Sequence, residues 1–373
     1  LAAARSGNEA AAGVLPASTT LSAPEHVTVT GADGTTFNFE TVFRTKPCEE
    51  VTAADLPHLS ADYVAQVAAM FVPVPAPKPV CTAVFGVLVV VSGLSPAGLY
   101  TGYSQDGYAK LLANVVAAIL DQNADGRADD PILMRKMRSG PSGHWIHAKR
   151  TGITFEETWV LKLGYTVQVS EEHDFQKGHE MDATINAIME EPYHTYQTAR
   201  ASAYPAVFGF TDTPDSCHDD VKTCDWTTSV ASRCSALAQC NWYNHGENTC
   251  SSQGASASAA SLSAGGCATP SCAGIEWDWN VAMAFTNDYQ HSHGMPGAWW
   301  QSRAAIEAKL TSSGGACVEY LEVLKAPEYH VLQHKMSLNY VVASAETATA
   351  TTATTTAAAT TTGDGGDGDD DGD

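Results

Sequence analysis

Positive charge is scarce in this chain. Its 373 residues hold 20 Lys and Arg against 42 Asp and Glu, a formal net charge of −22 at neutral pH. That balance argues against a nucleic-acid backbone or an anionic membrane surface as the main partner. Long apolar runs are lacking too. The most apolar stretch, Ala83 to Val91 (AVFGVLVVV), is too short to cross a bilayer, and its β-branched residues read as one buried strand. No two cysteines are spaced C-x-x-C, and the intervals among Cys217, Cys224, Cys234, Cys240 and Cys250 fit no zinc ribbon or finger. G-x-S-x-G and G-x-x-x-x-G-K-S/T are absent, so neither a serine nucleophile elbow nor a phosphate-cradling loop is expected. The chain starts at Leu1, without a charged segment leading into an apolar one. A mature chain or fragment, with any export signal already missing, is the expectation.

What is present suffices for a core. Hydrophobic residues make up 44% of the chain and there are eight Trp, which excludes a wholly disordered polymer. Ten cysteines, eight of them between Cys217 and Cys317, form the even, clustered set of an oxidised secreted protein. Cys48 and Cys81 are placed to pair with each other. Residues 1–25 read as a flexible arm and 26–342 as a single globular domain, with a low-complexity loop at 251–274. Residues 343–373 read as a disordered Thr/Ala stalk and an acidic tail that alone carries six Asp. Alternating Val, Thr and Phe at 26–44 predict a hairpin, and a Pro-rich linker follows at 73–79. Tyr108, Leu111, Leu112, Val115, Val116, Ile119 and Leu120 recur at helical spacing. The expected class is α+β, largely helical, with a small β-rich N-terminal part and disulfide bracing.

The predicted helix runs into Asp121-Gln-Asn123-Ala-Asp125-Gly126-Arg127-Ala-Asp129-Asp130-Pro131. Hard cations such as Ca²⁺ take six to eight oxygens, and side chains at loop positions 1, 3 and 5 with Gly at 6 supply three of them around a sharp turn. Arg127 would add its carbonyl, and Asp129 a carboxylate or a bridging water. The pattern resembles the EF-hand loop and the calcium loops of dockerin and thrombospondin repeats. Ile132 stands where an EF-hand has its bidentate Glu, so the site is weaker or is completed by Asp130 or a distant residue. The alternative is a solvated, Asp-rich turn that caps a helix starting at Pro131.

A second constellation lies at 182–196. Asp182 is a plausible N-cap, and Ile185, Ile188, Met189, Tyr193 and Tyr196 keep helical spacing. Glu190 and His194 then share one face with Glu191 beside them. This arrangement resembles the zincin motif H-E-x-x-H with its first His replaced by Glu: two ligands one turn apart and a carboxylate placed to take a proton from water. Glu276, which begins an aromatic helix (Glu276-Trp-Asp-Trp-Asn280), is the candidate third ligand. Pro192 predicts a kink or a new helix start inside the motif. Two acidic ligands also suit a harder metal than zinc. The alternative is a solvated pair of Glu and an ordinarily hydrogen-bonded His. His144-x-x-His147 and His291-x-His293 have ligand spacing, but such pairs arise easily among 13 His. Trp277, Trp279, Trp299 and Trp300 are candidates to line a cleft, or to pack inside.

Taken in order, Leu120 to Pro131, Asp182 to Thr184, Glu190 to His194, Ala203 to Gly209 (AYPAVFG), Cys224-Asp225-Trp226 and Glu276 to Asn280 resemble a little-characterised group of secreted, zincin-like proteins of gluzincin type. The resemblance implies a metallopeptidase-like scaffold. Glu190, His194 and Glu276 would hold Zn²⁺ or another divalent transition metal, with Glu191 as general base and Tyr193 or Tyr204 stabilising an oxyanion. Ca²⁺ would occupy Asp121, Asn123, Asp125, Arg127 and Asp129. The competing expectation is a non-catalytic extracellular calcium-dependent adhesion, matrix or sugar-binding protein. Its partners would be a peptide, a protein or a matrix ligand, with the acidic tail meeting a cell surface or mineral. Nucleic acid and membrane insertion are not expected.

Overall fold

The computed structural model describes residues 21–30, 36–73, 78–91, 105–137, 145–149, 166–170, 181–209, 229–237, 242–244, 249–251, 270–286, 302–335 and 338–342. The arm up to residue 20, residues 252–269 of the low-complexity loop, the stalk and tail, Cys224 to Trp226, His144, His291, His293, Trp299 and Trp300 lie outside the described residues. The class is α+β.

The predicted N-terminal hairpin is there: β1 (Glu25–Thr30) pairs antiparallel with β2 (Thr36–Thr41), Val27 opposite Phe39. The apolar run at 83–91 is not one strand. It holds the end of β4 (Val80–Val84) and all of β5 (Val87–Val91), joined at Phe85 and Gly86 with φ of 50° and 84°. Two consecutive left-handed residues make the two-residue turn whose twist matches a hairpin. Glycine accepts that conformation freely, whereas Phe85 is held there by burial of its ring against Phe43 and Tyr340.

This hairpin is the centre of a five-stranded mixed sheet, ordered β3 (Lys46–Pro47), β4, β5, β6 (Trp145–Lys149), β7 (Thr166–Ser170). Pairing is antiparallel from β3 to β5 and parallel from β5 to β7. Strand structure therefore extends well past the small N-terminal part expected from the sequence. All five residues of β5 are buried. Val87, Val89 and Val91 face one core while Leu88 and Val90 face another, so the strand is covered on both sides and reads as continuously apolar.

On the Leu88 side lies α1 (Ala61–Phe71), capped by Ser60 and tied down by the Cys48–Cys81 disulfide, which encloses it. On the other side lie α2 (Gln105–Leu120), α3 (Pro131–Met137) and α4 (Met181–Ala203). The apolar stripe predicted on α2 is buried, and so are Lys110 and Asn114. Lys110 pairs with Glu25 and Asp106, each at 3.0 Å. Asn114 donates from one amide nitrogen to the carbonyls of Glu40 and Leu338.

Helix α4 runs unbroken through Pro192 and already includes Asp182, so neither the N-cap nor the helix start expected there is found. An interior proline costs about 3 kcal/mol. Burial of Met189, Tyr193 and Tyr196 on the same helix offsets that cost. A second, helical core gathers α5 (Pro205–Phe208), α6 (Val230–Leu237), α7 (Pro270–Phe285), α8 (Arg303–Ser313) and α9 (Ala316–Lys325). The Cys234–Cys317 disulfide joins α6 to α9. Helix α7 is apolar around most of its circumference, and from Trp277 to Phe285 every residue is buried. Trp279, Ala282 and Met283 enter the sheet core while Trp277, Val281, Ala284 and Phe285 enter the helical one. Both tryptophans are thus core residues and neither lines a cleft. A short hairpin, β8 (Trp242–Asn244) with β9 (Thr249–Ser251), completes the described strands.

Candidate functional site

Two places carry the sequence-predicted residues. The first is the turn between α2 and α3. Asp121, Asn123 and Asp125 bond to backbone N–H groups just ahead of them. Asp121 accepts from the N–H of Asp125 at 3.2 Å and of Gly126 at 2.8 Å. Asn123 accepts from Asp125 N–H at 2.8 Å, and Asp125 from Arg127 N–H at 2.9 Å. Asp129 closes the turn backwards, accepting from Gln122 N–H at 2.7 Å and from the Asn123 amide at 3.0 Å. Gly126 sits at φ 87°, where a side chain would be strained and would meet Leu21.

The turn therefore brings Asp121, Asn123, Asp125 and Asp129 together, with residue 127 beside them. Asp130 does not join them. One of its oxygens accepts from the N–H groups of Ile132 and Leu133, capping α3, and the other accepts from the Tyr204 hydroxyl at 2.9 Å. The C-terminal segment supplies a partner that sequence reading missed: the Tyr340 hydroxyl donates to Asp121, whose residue is 1% exposed. Burial, with Asp125 adding to it, holds the Asp121 carboxyl above its ordinary range despite those donors. Asp129 is pushed up in the same way, by burial first and then by Asp121 and Asp125. The donor set is all oxygen and suits a hard cation. Among the described residues, no three His, Cys, Asp or Glu side chains converge closely enough to hold a metal ion by themselves.

The second place is where α4 meets α7. Glu190, Glu191 and Glu276 are on these helices, but their side chains lie outside what the structure describes. His194 is half-buried, its Nδ1 2.7 Å from Gln197 Oε1. Tyr193 is fully buried, with Tyr196 and Trp279 ring centres at 5.3 and 5.2 Å. It belongs to the core, at odds with contact to a bound substrate. Tyr204 is half-buried and engaged with Asp130.

What holds α4 to α7 is a polar cluster inside the apolar interior. The Asp278 carboxylate accepts from Arg200 Nη2 at 2.5 Å, from Gln197 Nε2 at 2.7 Å and from the Tyr320 hydroxyl. The Arg200 guanidinium also lies 4.0 Å from the Phe208 ring centre and 5.0 Å from that of Tyr196. Burial works against the charge on Arg200, but Asp278 and the surrounding tyrosines together raise its affinity for its proton, so the guanidinium stays charged. The sequence holds no local signal for this cluster: Asp278 lies between two Trp and Arg200 one turn past Tyr196, but both helices carry other charges. No family model, curated protein or solved structure matches the chain.

Proposed function

We propose that this chain is an extracellular calcium-binding protein without catalytic activity, in which the turn from Asp121 to Asp129 takes the ion. The observation that carries this reading is the turn itself. Asp121, Asn123, Asp125 and Asp129 all accept backbone N–H groups within the one turn, and burial holds the Asp121 and Asp129 carboxyls above their ordinary range. A divalent cation would favour their ionised forms. Asp121, Asn123, Asp125 and Asp129, with the Arg127 carbonyl, would hold it. The Cys48–Cys81 and Cys234–Cys317 disulfides fit an oxidising compartment. The partner would be a peptide, a protein or a matrix ligand, and the acidic tail suits a mineral or cell surface. Calorimetric titration with Ca²⁺ tests the reading. Saturable binding abolished by Asp121→Ala and Asp125→Ala is expected, and binding that survives both substitutions overturns it.

A second reading is a metallohydrolase with Glu190, His194 and Glu276 on the metal and Glu191 as base. Gln197 holding one ring nitrogen of His194 favours it, because ligand histidines are oriented through the nitrogen that does not bind. The metal would supply a Lewis acid at that place. Metal analysis of purified wild type, Glu190→Ala and His194→Ala decides this reading, and a transition metal absent from wild type removes it. With metal present, a peptide-library assay of Glu191→Gln against wild type separates an enzyme from a binding protein.

A further inference from the structure

The buried carboxylate of Asp278 determines the proton arrangement of His194, a residue it does not touch. The argument begins with Arg200, which is 1% exposed and carries only donors. A guanidinium at that depth requires an ionised partner, and Asp278 Oδ2 is 2.5 Å from its Nη2. Asp278 is therefore a carboxylate and accepts only. Tyr320, whose hydroxyl is pushed well above its ordinary range by burial and then by Asp278, keeps its proton and donates to the other oxygen.

Gln197 lies between Asp278 and His194. The atom it presents to Asp278 Oδ2 at 2.7 Å must be its NH₂, since a carbonyl oxygen there would face a carboxylate. The amide is thereby fixed in one of its two orientations, with its carbonyl oxygen toward His194. A carbonyl oxygen only accepts, so the His194 Nδ1 at 2.7 Å carries the hydrogen. A neutral imidazole has one N–H, which leaves the lone pair on Nε2.

We infer that Gln197 and Asp278 are positioning residues that hold neutral His194 as its Nδ1–H tautomer, with Nε2 as the ring nitrogen that accepts a proton or a metal ion. This is the reverse of the tautomer that predominates in an unconstrained histidine. The ring belongs to a half-buried residue, while the cluster that orients it lies in the core. The same arrangement serves a general base or a metal ligand. The inference holds whether or not a metal is ever bound, so its failure and that of the metallohydrolase reading are separable.

Long-range ¹H–¹⁵N correlation of the ¹⁵N-labelled full chain, at a pH where the ring is neutral, reads the tautomer directly. His194→Gln assigns the signal among the 13 histidines. A pyrrole-type Nδ1 and a pyridine-type Nε2 are expected in wild type. Gln197→Met, which keeps the side-chain length and removes the acceptor, should lower the Nδ1–H to Nε2–H ratio about tenfold, the worth of one hydrogen bond. Tyr320→Phe removes a donor from Asp278 but leaves the Gln197 contact, and should leave the ratio within about twofold. A wild-type ring protonated on Nε2 overturns the inference, as does a ratio that Gln197→Met leaves unchanged. Were Gln197→Met not to fold, the wild-type spectrum and Tyr320→Phe still decide the matter.

Discussion

Tyr340 and Asp121 are 219 residues apart in sequence, and the hydroxyl of one donates to the carboxylate of the other on the buried side of the acidic turn. The contact is the end of a strap. Asn114 holds the Leu338 carbonyl, Asn339 accepts from Glu40 N–H, and Tyr340 N–H donates to the Glu40 carbonyl. The Tyr340 ring stacks on Phe43 with centres 5.3 Å apart. Tyr340→Phe keeps the ring and removes only the donor. A loss of about 1–3 kcal/mol is expected in urea unfolding, toward the lower figure because Asp121 keeps two backbone donors. Faster amide exchange across residues 338–342 would localise the effect, and an unchanged stability would show that the bond contributes nothing.

The acidic turn gives the protein a signed pH dependence. Asp121 and Asp129 have folded values raised above the unfolded carboxylate range. Their contribution to stability is therefore fully present below that range and is lost as pH rises through the folded values. In chelator, Asp121→Asn should flatten the fall in stability as pH rises from the ordinary carboxylate range. Saturating Ca²⁺ should flatten it in wild type as well, because the ion favours the ionised form. Asp55 acts in the opposite sense. Its hydrogen bonds to Lys46 and Thr52 prevail over burial and lower its value, so its contribution is lost on acidification below the ordinary range. Denaturation curves across pH, with and without chelator, check all three statements.

Removing one member of the Arg200–Asp278 pair strands the other in the core. Asp278→Ala is expected to cost about 3–5 kcal/mol, whereas Arg200→Met with Asp278→Leu, which removes both charges, should cost far less. A double-mutant cycle in urea measures the difference. Equal losses in the single and double variants would deny that the unpaired charge is the cause.

The two disulfides close loops spanning 33 and 83 residues. Chain-entropy arguments assign about 4 kcal/mol to a loop of either size. Cys234→Ser with Cys317→Ser should lower the melting temperature of the α6–α9 region and leave peptide maps still linking Cys48 to Cys81. A non-reducing digest that links either cysteine elsewhere would contradict the pairing.

Several elements were legible because they depend on neighbours in the chain. The α2 stripe, the Asp-rich turn, Pro131 at the start of α3 and the β1–β2 hairpin all follow from periodicity and turn chemistry. The run at 83–91 was not, because a hairpin buried on both faces loses the alternation that marks a strand end, and Phe85 is an unusual residue for a left-handed turn. Of the two outcomes expected at Pro192, a kink or a new helix start, the start is not found, because the helix runs on through it. The acidic residues of the turn were readable from their spacing, whereas the contacts of Tyr340 and Asp278 were not, because their partners lie 219 and 42 to 81 residues away.

By itself the sequence determined that this is a strongly acidic, cysteine-rich chain with a cation-suited turn and an apolar interior. Those properties reside in composition and in contacts a few residues apart. Only the tertiary structure decided that Tyr340 closes that turn, that Trp277 and Trp279 are core, and that a buried Asp278 orients His194 through Gln197. Each of these depends on chain segments meeting across long loops, where burial raises the strength of a hydrogen bond and the cost of leaving one unmade.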